Sequence, residues 1–270
     1  MLETDQCVKI ALEAIQNACI ILKKRRYPLE KHFKDSAYGI KEAVTRIDID
    51  INRSIMNHIK ENTPGDIIIG EEISFNSEKS SKNVWLIDPI DGTRSLIKDQ
   101  PGCSVMISML SDHVPVMSVI HDIYADLTIC AILNRGVFIC SGKSFVRMTM
   151  AKKYEKKILW NPFANENFKK IIAEKLNMEM ICHAESTGLR AFLMAKGCGT
   201  IFLSLPKSAR IWDTAPAFVI ISEIGGQYTD LSGNNLIFDH NRPVHENGAV
   251  ATIGMDHQKV LASITPCLTY

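Results

Sequence analysis

Long apolar runs are missing from this 270-residue sequence. None approaches the roughly 18 residues that a membrane-crossing helix needs, so no membrane partner is expected. The short run Ala18–Leu22 is followed by Lys23, Lys24, Arg25 and Arg26, the reverse of the order in a signal peptide. An excess of either charge is missing too, with 31 Lys plus Arg against 30 Asp plus Glu. A protein that coats nucleic acid needs a basic surplus to displace counterions, and interleaved aromatic and basic residues are lacking as well. No nucleic-acid partner is therefore expected, although a local basic pocket for one small anion stays open. There is no internal repeat and no low-complexity tract. The cysteines (Cys7, Cys19, Cys103, Cys130, Cys140, Cys182, Cys198 and Cys267) include no C-x-x-C pair. Most lie in apolar stretches such as Leu127–Ala131, which reads as buried free thiols in a reducing compartment rather than disulfides or a zinc site. A cytoplasmic location follows as an expectation.

What is present is ordinary globular usage, 46% hydrophobic and 23% charged, in a chain long enough for one large domain or two packed together. A helical stripe at 8, 11, 12, 15, 18, 19 and 22 predicts a helix over Thr4–Arg26, and a second helix is predicted over Glu42–Glu61. Residues 27–39 read as a loop, and Ser74–Asn83 as an exposed one. Short buried strands are expected at Asp66–Ile69 and at Val84–Ile87, the second ended by Asp88-Pro89. Residues 103–140 alternate apolar runs with turn signals, the pattern of successive strands. The polar run Lys152–Lys157 marks a boundary between residues 1–150 and 151–270. Beyond it, helices are expected at 165–176, 189–195 and 214–224, and strands at 200–203 and 249–253. Helices and strands thus mix in both halves.

The densest chemistry lies in Trp85-Leu86-Ile87-Asp88-Pro89-Ile90-Asp91-Gly92-Thr93. A strand delivers Asp88, a turn follows, and Asp91 comes three residues later. The short helix that Gly92 and Thr93 open would present backbone N–H groups to an anion such as phosphate. Paired acids beside an anion cradle conflict unless a cation lies between them, and Mg²⁺ takes hard oxygen ligands and shares them with phosphate. Further acids lie at Glu71-Glu72 after Gly70, and at Asp213, which looks like the N-cap of a helix closing on Gly225-Gly226. Taken singly, each has a plainer reading, as a helix cap or turn chemistry. On composition and spacing the metal-site and plain readings both stay open.

The strings Val44-Thr45-Arg46-Ile47-Asp48, Gly70-Glu71-Glu72, Trp85-x-x-Asp88-Pro89-Ile90-Asp91-Gly92-Thr93 and Trp212-Asp213-x-Ala215, in this order, resemble the inositol monophosphatase family over at least residues 44–230. The resemblance implies an α+β, α/β fold, a layered αβαβα sandwich with the site between an N-terminal part carrying most metal ligands and a C-terminal part completing it. It implies metal ligation by Glu71, Asp88, the carbonyl of Ile90, Asp91 and Asp213, which would hold two or three Mg²⁺, and it admits Li⁺ as an inhibitor. Thr93, with Asp48 behind it, would orient the attacking water, Glu72 would assist, and the N–H groups of Gly92 and Thr93 would hold phosphate oxygens. The activity implied is hydrolysis of a small phosphate monoester, without a phosphoenzyme. A homodimer is a state many members adopt.

For the substrate, Ser186-Thr187-Gly188-Leu189-Arg190 resembles the G-S-S-L-K type of the family's 3'(2'),5'-bisphosphate nucleotidases more than the G-T-A-A type of inositol monophosphatases. Arg190 would then meet a second phosphate. Lys207 and Arg210, in a stretch of nucleotidase-like length, could meet a nucleotide or stand as solvated loop charges. Arg94-Ser95-Leu96 fits neither type, Pro216 replaces the more usual A-A-G continuation although histidinol-phosphate phosphatases and some nucleotidases have proline nearby, and His121–Tyr124 stands where many members have a proline-containing strand end; inositol-1-monophosphatase or histidinol-phosphate phosphatase activity are the alternatives. A non-catalytic relative that binds a phosphate compound would have lost a metal acid, and the matched acids are present here. An RNA-associated or chaperone-like role is set aside on the balanced charge. His121, His183, His240 and His245 lack zinc-like spacing, and His240 and His245 read as surface residues. Met148–Met150, Met178 and Met180 read as core or edge packing.

Overall fold

A computed structural model describes residues 4–25, 31–35, 41–75, 81–142, 144–182 and 184–267. The elements run α1 (Thr4–Arg25), β1 (Lys31–Asp35), β2 (Lys41–Thr45), α2 (Arg46–Asn62), β3 (Ile67–Gly70), β4 (Ser74–Phe75), β5 (Asn83–Asp91), α3 (Thr93–Ile97), β6 (Ser104–Ser111) and β7 (Val114–Asp122). They continue with β8 (Leu127–Ile132), β9 (Gly136–Ser141), β10 (Ser144–Arg147), β11 (Lys157–Leu159), α4 (Glu166–Leu176), β12 (Glu179–Ile181), α5 (Thr187–Ala195) and β13 (Ile201–Ser204). The chain ends with α6 (Ile211–Glu223), β14 (Gln227–Thr229), β15 (Ala249–Thr252), α7 (His257–Ile264) and a 3-10 turn at Thr265–Cys267.

Two larger sheets organise the chain, one with the order β10-β9-β8-β7-β6-β5-β3-β4, the other β12-β11-β13-β15-β14. Side-chain alternation along each strand explains the layers. In β5, Trp85 and Ile87 face α1 and α2, while Val84 and Leu86 face α5 and α6. In β15, Ala249 and Ala251 point to that same α5/α6 layer, and Val250 points the other way, towards α7. Three apolar seams thus separate five layers: α1/α2, the larger sheet, α5/α6, the smaller sheet and α4/α7. This is the layered sandwich expected from the sequence. The connection between the two larger sheets spans residues 148–156. Among the described residues, no helix is long and apolar enough to cross a membrane.

Several local expectations change. The stretch expected as a loop contains β1, which pairs antiparallel with β2. Helix α2 therefore starts at Arg46, not Glu42: β-branched Val44 and Thr45 suit a strand, and Asp48 in the first turn suits a helix start. Strand β5 does not end at Asp88-Pro89 but runs on to Asp91. Its register against β6 shifts between Asp88, opposite Met106, and Asp91, opposite Ser104. Pro89, with no N–H to give, is tolerated inside that bulge. Asp213 is not the N-cap of α6. Arg210 is, and Asp213 stands three residues in, its carboxylate accepting the Arg210 N–H at 2.7 Å. Gly225, at φ 75°, closes α6 as expected.

His245 corrects the surface reading. It is 7% exposed and meets the Thr214 hydroxyl at 2.7 Å, because the 235–245 segment folds back on α6. His240 is half-buried, and His183 lies outside the described residues. All eight cysteines are free, five are buried, and Cys182 is exposed. Met148, Met150, Met178 and Met180 pack against the cores.

Candidate active site

Strands β3 and β5 are parallel neighbours, so Glu71 and Asp88 leave the sheet at the same edge. The Glu71 N–H is fixed on the Ile87 carbonyl at 3.0 Å. Gly70 is required here, since a Cβ would lie 2.3 Å from Oδ1 of the fully buried Asn52. Asn52, one turn beyond Asp48, clamps the loop after β3 by donating to the Ile73 carbonyl at 3.1 Å. The bulge in β5 brings Asp91 and Ile90 round beside Asp88. Gly92 then turns the chain at φ 95°, and its hydrogen faces the Gly102 carbonyl, where a Cβ would sit at 3.0 Å.

The first turns of four helices converge on this edge. Thr93 opens α3, and its hydroxyl lies 3.1 Å from Asp48 Oδ1 in α2 and 3.0 Å from the Ile90 carbonyl. From α5, Thr187 N–H donates to Asp91 Oδ2 at 2.6 Å. From α6 comes Asp213. Ser186 caps α5 by accepting from Leu189 N–H at 3.2 Å, and its hydroxyl meets that of Ser104 at 2.7 Å.

The carboxylates raise one another's proton affinity. Asp88 is 2% exposed, and burial pushes its pKa well above the carboxylate range, helped by Glu71, Asp91, Asp213 and Asp48. Burial raises Asp91 to about 7, against the pull of Arg190 and of hydrogen bonds from Thr187 and Ser186. Asp213 is pushed up by burial, then by Asp91 and Glu71. Asp88 Oδ1 is buried and finds no hydrogen-bond partner among the described residues. Crowded acids with an orphaned oxygen fit a hard cation held by oxygen ligands. Among the described residues, however, no three His, Cys, Asp or Glu side chains already form a cage for a metal. The geometry gives a reason: Asp91 and Asp213 each turn one oxygen to a backbone N–H.

The outer residues divide. Arg190 is 3% exposed, donating to the Leu203 carbonyl at 3.3 Å and to the Thr187 hydroxyl at 2.9 Å, with its guanidinium over Phe202. It faces the interior beside Asp91. Lys207 is exposed and lies 3.6 Å from Glu246. Glu72 is half-buried just after β3. Sequence reasoning missed Asn52 and Glu185. Glu185 is 6% exposed and accepts from Ser95 N–H at 2.8 Å and Arg94 Nε at 3.1 Å, tying the start of α3 to the loop before α5. Its partners lie about ninety positions away in sequence, so no local signal marks it.

A family model described as the inositol monophosphatase family matches residues 3–267. Inositol monophosphatase 2 of Solanum lycopersicum is 28% identical over 242 residues, 85% of this chain and 89% of that protein. A 3'(2'),5'-bisphosphate nucleotidase CysQ of Aggregatibacter actinomycetemcomitans is 28% identical over 204 residues, 73% of this chain and 75% of that protein. Among solved structures, an IMPase of Thermotoga maritima superimposes with a TM-score of 0.78 at 20% identity, covering 97% of this chain and 98% of its own, which shows a shared fold.

Proposed function

We propose a substrate class and a division of labour for a chain that belongs to the inositol monophosphatase family and is a hydrolase of phosphoric monoesters. The substrate is a small phosphorylated metabolite of the 3'(2'),5'-bisphosphate nucleotide type. One observation carries the site: four buried or half-buried acids, Glu71, Asp88, Asp91 and Asp213, share one field at the end of the sheet, and one Asp88 oxygen has no hydrogen-bond partner among the described residues. These residues and the Ile90 carbonyl would hold Mg²⁺, with Li⁺ as a competitor. Bound there, Mg²⁺ would polarise the phosphoryl group, activate water and stabilise the leaving oxygen.

The chain's own residues do the rest. The Thr93 hydroxyl has one proton, and giving it to Asp48 leaves its lone pairs free to accept from the attacking water. The water's proton can then pass through Thr93 Oγ1 to Asp48 while the new P–O bond forms and the ester P–O bond breaks. Glu72 assists from just outside. Gly92 and Thr93 orient phosphate oxygens through their N–H groups. Ser186 and Arg190 hold Asp91 in place through the α5 start, and Lys207 stands at the outer loop.

Support for the nucleotidase type is the Ser186–Arg190 string and the CysQ relative. A second reading, inositol 1-phosphate, is favoured by an equally identical relative. Two lobes, residues 1–150 and 151–270, a cytoplasmic location and a homodimer belong to the same reading. The test is phosphate release with Mg²⁺, and with EDTA as control. The substrates are 3'-phosphoadenosine 5'-phosphate, inositol 1-phosphate, fructose 1,6-bisphosphate and histidinol phosphate. Preference for the first is expected. Preference for the inositol ester would overturn the substrate class, and no EDTA-sensitive release from any would overturn the site.

A further inference from the structure

We infer that Arg94 and Lys98, seated on Phe163 beside the site, form the subsite for a second anionic group of the substrate. This rests on the phosphomonoesterase reading above and adds to it the residues that read the non-reacting half.

The cation expected to do this from sequence is turned inward. Arg190 is buried, with both terminal nitrogens of its guanidinium on protein oxygens. Lys207 is next to Glu246. Arg94 is also paired, with Glu185 at 3.1 Å, but only through one of its nitrogens. It directly follows Thr93, and its side chain is 52% exposed. Glu185 holds only its Nε, so among the described residues the two Nη groups take no hydrogen bond. A guanidinium gripped at Nε presents its remaining edge as a fork for an oxyanion. Glu185 also accepts from Ser95 N–H at 2.8 Å, which holds it against the start of α3.

Lys98 is four residues on, over the same face of α3, is exposed, and has no ion pair among the described residues. Both cations meet one aromatic ring, Arg94 Cζ at 5.1 Å and Lys98 Nζ at 4.4 Å from the centre of Phe163. Cation–π contact limits where the two charged groups can point. Phe163 comes from the connection between β11 and α4, and its N–H is fixed on the Asn161 side chain at 2.9 Å. The connection between β11 and α4 thus supplies the platform, and α3 with the residue that caps its end supplies the charges. A substrate with one phosphate at the acids and a second anion a few bonds away would be met by both. A monoester without that anion would not.

The test compares kcat/KM for 3'-phosphoadenosine 5'-phosphate with that for adenosine 3'-monophosphate, which has the same ester and no second phosphate. In Lys98→Gln and Arg94→Gln combined, the bisphosphate-over-monophosphate ratio should fall roughly tenfold to a hundredfold, the loss expected for charge-assisted contacts. Arg94→Lys should restore part of the ratio, and raising the salt should shrink it in the wild type. A calorimetric titration of the bisphosphate in EDTA reads the subsite without turnover, and at least fivefold weaker binding is expected in the double variant. Equal loss for both substrates, an unchanged ratio, or unchanged binding would overturn the subsite. Absence of Mg²⁺-dependent release from every ester with altered binding in the double variant would instead overturn the phosphomonoesterase reading and leave the subsite standing.

Discussion

Asp91→Asn should separate catalysis from stability. Burial raises the Asp91 carboxyl to about 7 from an ordinary 3.8. Between those values the folded state keeps a proton that the unfolded state has released. Stability therefore falls as pH rises from about 4 to 7, and the loss is complete above that. At about 1.4 kcal/mol per pH unit, the gap is worth up to about 4 kcal/mol. Asparagine keeps an oxygen for the Thr187 N–H but carries no charge to desolvate. In EDTA at pH 8 the variant should melt higher than the wild type, by roughly 5 °C for about 2–3 kcal/mol in a chain of this size. In Mg²⁺ the order should reverse, because the wild type gains stability by binding and the variant gains little. Turnover in the variant should fall below detection while its far-UV circular dichroism is unchanged. Scanning calorimetry with and without EDTA, beside phosphate release, reads all of this. Near-normal kcat would refute the ligand role, and a variant less stable than wild type in EDTA would refute the electrostatics.

Thr93→Val keeps the shape and removes the hydroxyl between Asp48 and the water, so kcat should drop by about a hundredfold or more with KM little changed; an unchanged kcat would remove Thr93 from the proton path. Gly92→Ala forces a Cβ to 3.0 Å from the Gly102 carbonyl at φ 95°, so denaturant melts should show a loss of about 1–3 kcal/mol together with loss of activity. Burial lowers His245 to about 4, so the unfolded chain takes up its proton first as pH falls below 6.5. This costs up to about 3 kcal/mol by pH 4, and His245→Gln should show a shallower fall in melting temperature across that window. Equal slopes in the two proteins would refute it.

The legible parts of the molecule were those with short-range causes. Short apolar runs between turn signals in β5 to β8 and the stripe of α1 report burial directly, and the structure packs α1 on one face of the sheet that those strands form. The acids were legible because three of them sit at strand or helix ends in fixed local strings. Asp213 was legible as a candidate but not in its position, since a capping carboxylate three residues inside a helix and one at its start leave similar sequence traces. Strands β1, β2, β4, β10, β11, β12 and β14 were not foreseen, being only two to five residues long. Arg190 shows the same limit from the other side. The string around it suggested a substrate contact, and only its position between α5, β13 and Asp91 shows that it faces inward.

Asp88 shows why the site and the sandwich have to be built together. A carboxyl 2% exposed with an unpartnered oxygen destabilises the fold wherever it is placed. Here it stands sixth in a nine-residue strand, just before the bulge, and the preceding residues, Val84 to Ile87, are at most 3% exposed and alternate between two apolar seams. Burying those side chains contributes about 1.5–3 kcal/mol each, enough to offset one strained acid at the bulge. The same strand can hold such an acid only at the bulge, where it turns towards the other acids. Moved two residues towards its start, the carboxylate would take the place of Leu86, inside the seam packed by α5 and α6 and away from Asp213 and Thr93. The acids therefore gather at the edge because it is the place where burial deep enough to shift their protons coexists with a packed strand behind them.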